Sequence, residues 1–188
     1  MFFGEFETFL TKIESFKLKR LKNKTKGDIY MNKIKFITQA ALIGAIYIVL
    51  TLLANALGLA NSAIQVRFSE ALTILPVFTA AAVPGLTIGC LLSNILTGCA
   101  PWDVLFGSIA TLIGAIFTLK LKNTKWAACL PPIISNTVII PFVLSYVYGA
   151  EGTIPYFMIT VAIGEIISCG ILGNLLRVAL KPYKKIFE

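Results

Sequence analysis

Apolar side chains in this chain are gathered into long blocks, and charged side chains occur almost only between or outside them. Blocks of this kind are typical of transmembrane helices, which need about 20 apolar residues each to cross a bilayer. Of the 188 residues, 57% are hydrophobic and only 14% are charged, whereas about a quarter of the residues in a soluble domain are charged. The pattern therefore predicts an all-α integral membrane protein that crosses the cell membrane several times.

Six apolar blocks follow one another along the chain, and each is predicted to be one transmembrane helix of a single bundle. They cover residues 34–57, 69–83, 86–98, 103–119, 126–148 and 154–180. Turn-forming residues such as Pro84 and Gly85 separate neighbouring blocks. The predicted membrane domain is residues 31–188, and residues 1–30 form a basic extension. Two interpretations of the extension stay open, an amphipathic helix on the membrane surface and a disordered tail.

The lysines and arginines predict the orientation of the bundle. If the N-terminus lies inside and the chain crosses six times, every lysine and arginine except Arg67 falls on the inner side. Cytoplasmic loops show this excess of positive charge, so both termini are predicted to be cytoplasmic. The formal net charge of +8 is confined to the ends and one loop. A membrane surface explains that distribution better than nucleic acid does.

Polar side chains interrupt the blocks near the predicted outer side and near the middle of the membrane. Arg67 and Glu70 are three residues apart and would share a helix face. Glu165 would lie deep in the sixth helix, where an unpartnered charge costs about 3 kcal/mol. Polar groups that converge from different helices are typical of a ligand site. The predicted ligand-binding residues are Gln65, Arg67, Phe68, Ser69, Glu70, Asn94, Trp102, Asp103, Asn136 and Glu165.

The chemistry of this set fits a flat polar ligand, neutral or cationic. Carboxylates and amides recognise N–H donors and carbonyl groups, and an aromatic face can stack on a heterocycle. Structural roles remain open for the same residues. Arg67 and Glu70 could only pair with each other, and the asparagines could join helices. Asp103 could be the N-cap of the fourth helix, and Trp102 could be an interfacial anchor.

The usual motifs of catalysis and ATP hydrolysis are missing from the sequence. It has no histidine, no Gly-x-x-x-x-Gly-Lys-Ser/Thr phosphate loop and no Gly-x-Ser-x-Gly motif. The four cysteines are scattered in apolar stretches without a Cys-x-x-Cys pair. They are therefore predicted to be packing residues, with neither a metal site nor a disulfide. We expect a chain that is not an enzyme and needs no cofactor.

Small residues recur four apart on the first predicted helix, in the pairs Ala40/Gly44 and Ala41/Ala45. This spacing lets another helix approach closely in lipid. The approaching helix could belong to a partner subunit or to the same chain, and the pattern does not distinguish the two.

Four features resemble the QueT family, the substrate-binding S components of energy-coupling factor transporters. They are the small-residue first helix, Asn94, the pair Trp102-Asp103 and the run Gln65-Val66-Arg67-Phe68-Ser69-Glu70-Ala71-Leu72-Thr73-Ile74-Leu75-Pro76. The resemblance covers residues 31–181 and implies the six-helix S-component bundle, with a ligand held near the outer face. The implied ligand is a queuosine precursor or salvage base: a 7-deazaguanine such as the aminomethyl or cyano compound, or queuine.

The same resemblance implies partner subunits. Transport would require an EcfT-type membrane subunit and a pair of EcfA-type ATPases, and the small-residue face of the first helix would dock on the EcfT-type subunit. Two alternatives stay open. One is an S component for another small, vitamin-like ligand, and the other is a membrane scaffold protein that transports nothing.

Overall fold

The computed structural model describes residues 31–58, 66–124 and 126–187. Within these ranges the chain is helical and contains no strand. The helices are α1 (Met31–Ala56), a long 3₁₀ helix (Phe68–Val77), α2 (Ala82–Leu96), α3 (Pro101–Lys120), α4 (Leu130–Tyr146) and α5. Helix α5 has three successive segments: Ile154–Glu165, the π-helical Ile166–Leu172, and Gly173–Leu180. The predictions of an all-α protein and of six helices are confirmed.

Two short 3₁₀ turns complete the described helices, Ala127–Cys129 before α4 and Lys181–Ile186 after α5. The chain divides into two units, Met1–Thr38 and Gln39–Glu188. The described part of the first unit is residues 31–38, which belong to α1. The predicted basic extension, residues 1–30, lies outside the described residues.

Four of the helices are long and apolar enough to cross a membrane. They are α1, α3, α4 together with its preceding turn, and α5. The other two are shorter, since the long 3₁₀ helix has 10 residues and α2 has 15. A straight span of the bilayer core, about 30 Å thick, needs about 20. This is a multi-pass membrane protein in which four long helices are combined with two short ones.

The long 3₁₀ helix lies at the centre of the packing. It contacts α2, α3 and the last two segments of α5, and its Leu72 joins a core with Ile43 of α1 and Leu86 of α2. Pro76 lies inside it, and proline clashes with the carbonyl four residues earlier in an α-helix. That clash favours a departure from α geometry. Because 3₁₀ runs longer than 3–4 residues are uncommon, we infer that the surrounding packing stabilises this one.

Helix α1 approaches α2 closely through residues that lack bulky side chains. A Cβ atom added to Gly85 would lie 2.6 Å from the carbonyl oxygen of Ala40, and one added to Gly44 would lie 3.0 Å from that of Gly85. Gly44 is buried and Ala40 half-buried, whereas Ala41 and Ala45 are exposed. The small residues of α1 are therefore divided into an internal pair, which packs within the chain, and an exposed pair.

We expect the substitution Gly85→Ala to lower the thermal unfolding midpoint in detergent. The new Cβ would meet a backbone oxygen at 2.6 Å, so α1 and α2 would have to separate. Overpacking typically costs about 1–3 kcal/mol, against about 1 kcal/mol gained from the helix propensity of alanine. The control is Gly170→Ala, whose Cβ would meet side-chain atoms at 3.7 and 3.9 Å. Equal midpoints for the two variants would contradict a tight α1–α2 contact.

Candidate functional site

A cavity of about 290 Å³ lies at one end of the helices. The C-terminal ends of α1, α2 and α4 and the N-terminal end of α3 line it. Its polar lining residues are Thr51, Asn55, Arg67, Asn94, Thr97, Asp103 and Tyr148. The distribution of lysine and arginine predicts that this end faces outside. Three residues of the predicted site, Arg67, Asn94 and Asp103, are therefore brought together at this cavity from distant parts of the chain.

Asp103 is held at the cavity by Tyr148. The Tyr148 hydroxyl donates to Oδ2 of Asp103 at 2.8 Å and accepts the backbone N–H of Ala100 at 3.1 Å. Partial burial raises the pKa of Tyr148 to about 12, and the Asp103 carboxylate adds to the rise. The phenol therefore stays protonated and able to donate at neutral pH. Ala100 occupies the N-cap of α3, so the alternative in which Asp103 is the N-cap is wrong.

Asn94 lies where α2 approaches α3. Its Nδ2 atom donates to the Cys90 sulfur at 3.7 Å, and a Cβ atom added to Gly107 of α3 would lie 3.1 Å from the same Nδ2. The absence of a side chain at Gly107 therefore leaves room for the carboxamide beside α3. Asn94 is buried and still lines the cavity.

Two buried carboxylates from different helices lie close together, and neither of them lines the cavity. Glu70 of the long 3₁₀ helix is 2% exposed, and Glu165 of α5 is 9% exposed. One oxygen of each carboxylate and the sulfur of Cys169 lie within 4.8 Å of one another. The Tyr47 hydroxyl donates to Oε1 of Glu70 at 2.6 Å, and Nδ2 of Asn136 donates to Oε1 of Glu165 at 2.9 Å. These five residues are hereafter the carboxylate cluster.

The carboxylate cluster adjoins the cavity through α1 and through Arg67. Tyr47 lies one helical turn before Thr51, whose hydroxyl donates to the Tyr47 carbonyl at 2.9 Å. Thr51 and Arg67 both line the cavity. The Arg67 guanidinium is also within electrostatic range of the Glu70 and Asp103 carboxylates. Arg67 therefore interacts electrostatically with an acidic group at the cavity wall and with an acidic group of the cluster.

The π-helical segment of α5 joins the carboxylate cluster to the start of the long 3₁₀ helix. The Cys169 thiol donates to Oε2 of Glu165 at 3.1 Å. The Ser168 hydroxyl accepts the backbone N–H of Arg67 at 3.1 Å. Both residues lie in the segment where the helix has π geometry, and such segments are frequent at functional sites. The backbone of Arg67 and the carboxylate of Glu165 are thus positioned by neighbouring residues.

Two buried polar atoms, one in the cluster and one on the residue before Glu70, have no hydrogen-bond partner among the residues that the structure describes. They are Oε2 of Glu70 and Oγ of Ser69. A buried polar group left unpaired costs about 1–3 kcal/mol. In addition, two carboxylates so close repel each other when both are ionised. Both facts favour a ligand group that supplies N–H donors or a positive charge.

Glu70, Glu165 and Cys169 are also the residues best placed to hold a metal ion in the described part of the chain. Zn²⁺ accepts thiolate and carboxylate ligands. The Cys169 thiol, however, donates its proton to Glu165 at 3.1 Å, and it would have to lose that proton before binding a metal. A metal ion and an organic cation are therefore both compatible with the donor atoms of the cluster.

Three of the other predicted site residues, Trp102, Phe68 and Ser69, belong neither to the lining of the cavity nor to the carboxylate cluster. Trp102 is 58% exposed, stacks on Phe106 with the ring centroids 6.0 Å apart, and does not line the cavity. Phe68 is half-buried and Ser69 is buried. Gln65 lies outside the described residues.

Several residues at the site are not among those predicted from the sequence to bind a ligand. They are Tyr47 and Cys169 in the cluster, and Thr51, Asn55, Thr97 and Tyr148 at the cavity. Cys169 is buried, as expected of a packing residue, and its thiol also donates a hydrogen bond to Glu165. Tyr47 carries a hydroxyl in the middle of an apolar helix, and a buried hydroxyl needs a partner. That requirement was the signal that could have identified it.

Comparison with known proteins agrees with the resemblance seen in the sequence. A model of the QueT transporter family matches residues 37–182. The chain belongs to the QueT transporter family. One relative, the queuosine precursor transporter QueT of Lactococcus lactis subsp. cremoris (strain MG1363), is 33% identical over 78 residues, which are 41% of this chain and 45% of that protein. The match thus spans less than half of the relative's length. No solved structure matches this QueT-family chain.

We expect Tyr47→Phe to destabilise this QueT-family protein by about 1–3 kcal/mol, because a buried acceptor loses its donor. The lost bond is the one from the Tyr47 hydroxyl to Oε1 of Glu70. The thermal unfolding midpoint in detergent measures the effect. Tyr146→Phe is the control, since it removes a hydroxyl from a well-exposed tyrosine. A Tyr47→Phe midpoint equal to that of the control would contradict the Tyr47–Glu70 hydrogen bond.

Proposed function

We propose that this QueT-family protein is the substrate-binding S component of an energy-coupling factor importer and captures a queuosine precursor from outside the cell. Membership of a transporter family supports a role in transport. The cavity supports capture from one side, since it lies at the end of the helices where Arg67 is found. With both termini in the cytoplasm, all other lysines and arginines lie on the inner side, as the positive-inside rule expects.

The proposed ligand is a 7-deazaguanine, such as the aminomethyl or cyano compound or queuine. The observation that carries this proposal is the meeting of Glu70, Asn136 and Glu165 from three helices in the carboxylate cluster. None of the three lines the cavity of about 290 Å³, to which the cluster is connected through Tyr47 and Arg67. Small-molecule pockets typically measure about 300–1,000 Å³, so this cavity suits one compact ligand. A flat base with several N–H donors matches a site rich in carboxylate and amide oxygens.

We propose that different residues of the site bind different groups of the ligand. Glu70 and Glu165 accept hydrogen bonds from ring or exocyclic N–H groups, or from an aminomethyl cation. Asn94 at the cavity wall reads the ring carbonyl or ring nitrogens, and Arg67 donates to the carbonyl. In this proposal an N–H group of the base donates to Oε2 of Glu70, the buried acceptor without a partner among the described residues.

In this proposal the energy for transport comes from partner subunits. The sequence contains no phosphate-binding loop of the Gly-x-x-x-x-Gly-Lys-Ser/Thr type. An EcfT-type membrane subunit would bind this chain, and EcfA-type ATPases would hydrolyse ATP. The chain itself would bind and release the ligand without catalysing a reaction.

Isothermal titration calorimetry of the purified protein with the three 7-deazaguanines tests the ligand class. Binding by at least one of them, with competition among them, is expected. If a water-soluble vitamin binds and the deazaguanines do not, the proposed role as an S component stands and the proposed ligand is wrong. If no ligand binds and no EcfT-type subunit co-purifies, the scaffold alternative replaces the transport proposal.

We expect Glu70→Gln and Glu165→Gln each to weaken deazaguanine binding by about 10- to 100-fold, because a hydrogen bond to a charged group contributes about 1.5–3 kcal/mol. The dissociation constant from calorimetry measures the loss. Glu151→Gln is the matched control, since it makes the same chemical change at an exposed loop position. Normal binding by both cluster variants would place the ligand elsewhere.

We expect Ala41→Leu and Ala45→Leu to reduce co-purification with an EcfT-type subunit while ligand binding stays unchanged. Both alanines are exposed on α1, and a larger side chain there keeps a partner helix at a distance. Ala179→Leu, at an exposed position of α5, is the control. If both α1 variants co-purify with the EcfT-type subunit as well as the unsubstituted protein does, Ala41 and Ala45 are not part of the docking surface.

A further inference from the structure

A second cavity, of about 790 Å³, lies at the opposite end of the helices from the first. Three parts of the chain line it: the turn after the long 3₁₀ helix, the connection between α3 and α4, and the C-terminal end of α5 with its following turn. None of the residues proposed to bind the deazaguanine belongs to it. We refer to it below as the basic groove.

The charged residues that line the basic groove are all positive. They are Lys122, Arg177, Lys181 and Lys184, and none of the described lining residues is acidic. Arg177 is half-buried, whereas Lys122 and Lys181 are exposed. Positive charges gathered from separate elements without an acidic neighbour in the same lining raise the local potential. The occupant that this groove fits is therefore an anion.

Apolar residues line the same groove beside the positive charges. Val77, Phe78, Leu119 and Val178 are among them, together with Trp126. The groove also lies at the edge of the membrane, because α3 ends at Lys120 and the span containing α4 begins at Ala127. Trp126 is 75% exposed, as is usual for tryptophan at the level of lipid head groups.

We propose that the basic groove binds a phospholipid with an anionic head group. The phosphate would contact Lys122, Arg177 and Lys181, and the acyl chains would pack against the apolar wall. Basic pockets at the ends of transmembrane helices recognise anionic head groups in this way. A soluble anion would use the charges but not the apolar wall. An acidic protein segment would have to remove lipid from that wall before it could bind.

Quenching of Trp126 fluorescence by brominated lipids tests the proposal. The chain has two tryptophans, so Trp102→Phe leaves Trp126 as the reporter. The protein is placed in nanodiscs of phosphatidylcholine, to which brominated phosphatidylglycerol or brominated phosphatidylcholine is added in increasing mole fraction. Brominated phosphatidylglycerol is expected to quench at a roughly tenfold lower mole fraction than brominated phosphatidylcholine, because several basic residues near a lipid surface attract anionic lipid. Inorganic phosphate at millimolar concentration should not reverse the quenching.

Two double variants with the same change of charge distinguish lipid binding in the basic groove from a general effect of the protein's surface charge. Lys122→Gln with Arg177→Gln should abolish the preference for phosphatidylglycerol. Lys33→Gln with Lys35→Gln removes two exposed lysines near the start of α1 and should preserve it. Size-exclusion profiles and unfolding midpoints check that both variants are folded.

Three outcomes would overturn the proposal. The first is equal quenching by the two brominated lipids in the protein with native lysines and arginines. The second is an equal loss of preference in both double variants, which would reflect overall charge. The third is a change in Trp126 fluorescence on adding an EcfT-type subunit without any lipid preference, which would make the groove a protein-docking surface.

Discussion

A carboxylate buried in a membrane protein must find partners, and the arrangement of Glu70 and Glu165 follows from that requirement. An unpartnered charge at the centre of a transmembrane helix costs about 3 kcal/mol. The hydrophobic effect does not drive helices together in lipid, so polar contacts between them matter more. Hydrogen bonds from Tyr47, Asn136 and Cys169 supply partners here. These bonds join α1 and α4 to the long 3₁₀ helix and α5, so the residues proposed to read the ligand also hold the helices together.

The short helices explain how a polar cavity fits among long apolar ones. Helix α2 has 15 residues and is therefore about 22 Å long, less than the bilayer core of about 30 Å. Its C-terminal end and the following turn can lie below the ends of longer neighbours. Thr97, Gly98 and Cys99 from that turn line the cavity. The shortness of α2 thus leaves space for a ligand where a full-length helix would have filled it.

Charge is distributed unequally between the two ends of the helices. Arg67 shares the first cavity with Asp103, and the carboxylate cluster lies beside it. The basic groove at the opposite end has only positive charged residues in its described lining. An acidic end suits a base that carries many N–H donors, and a basic end suits the anionic surface of the inner leaflet. This difference in charge is consistent with the orientation and with the two ligands proposed above.

The sequence by itself determined the helical class, the number of helices and the polar residues that need partners. Apolar periodicity and the cost of buried charge depend on local chain properties, so a single sequence reports them. The resemblance to the family was also accessible, because the run from Gln65 to Pro76 is a continuous stretch of the sequence. The tertiary structure alone decided that Ala40 and Gly44 pack internally, that Trp102 is exposed and does not line the cavity, and that Cys169 contacts Glu165. It also decided the 3₁₀ and π geometries. These features depend on which helix faces which, a long-range property that residue spacing along one helix does not contain.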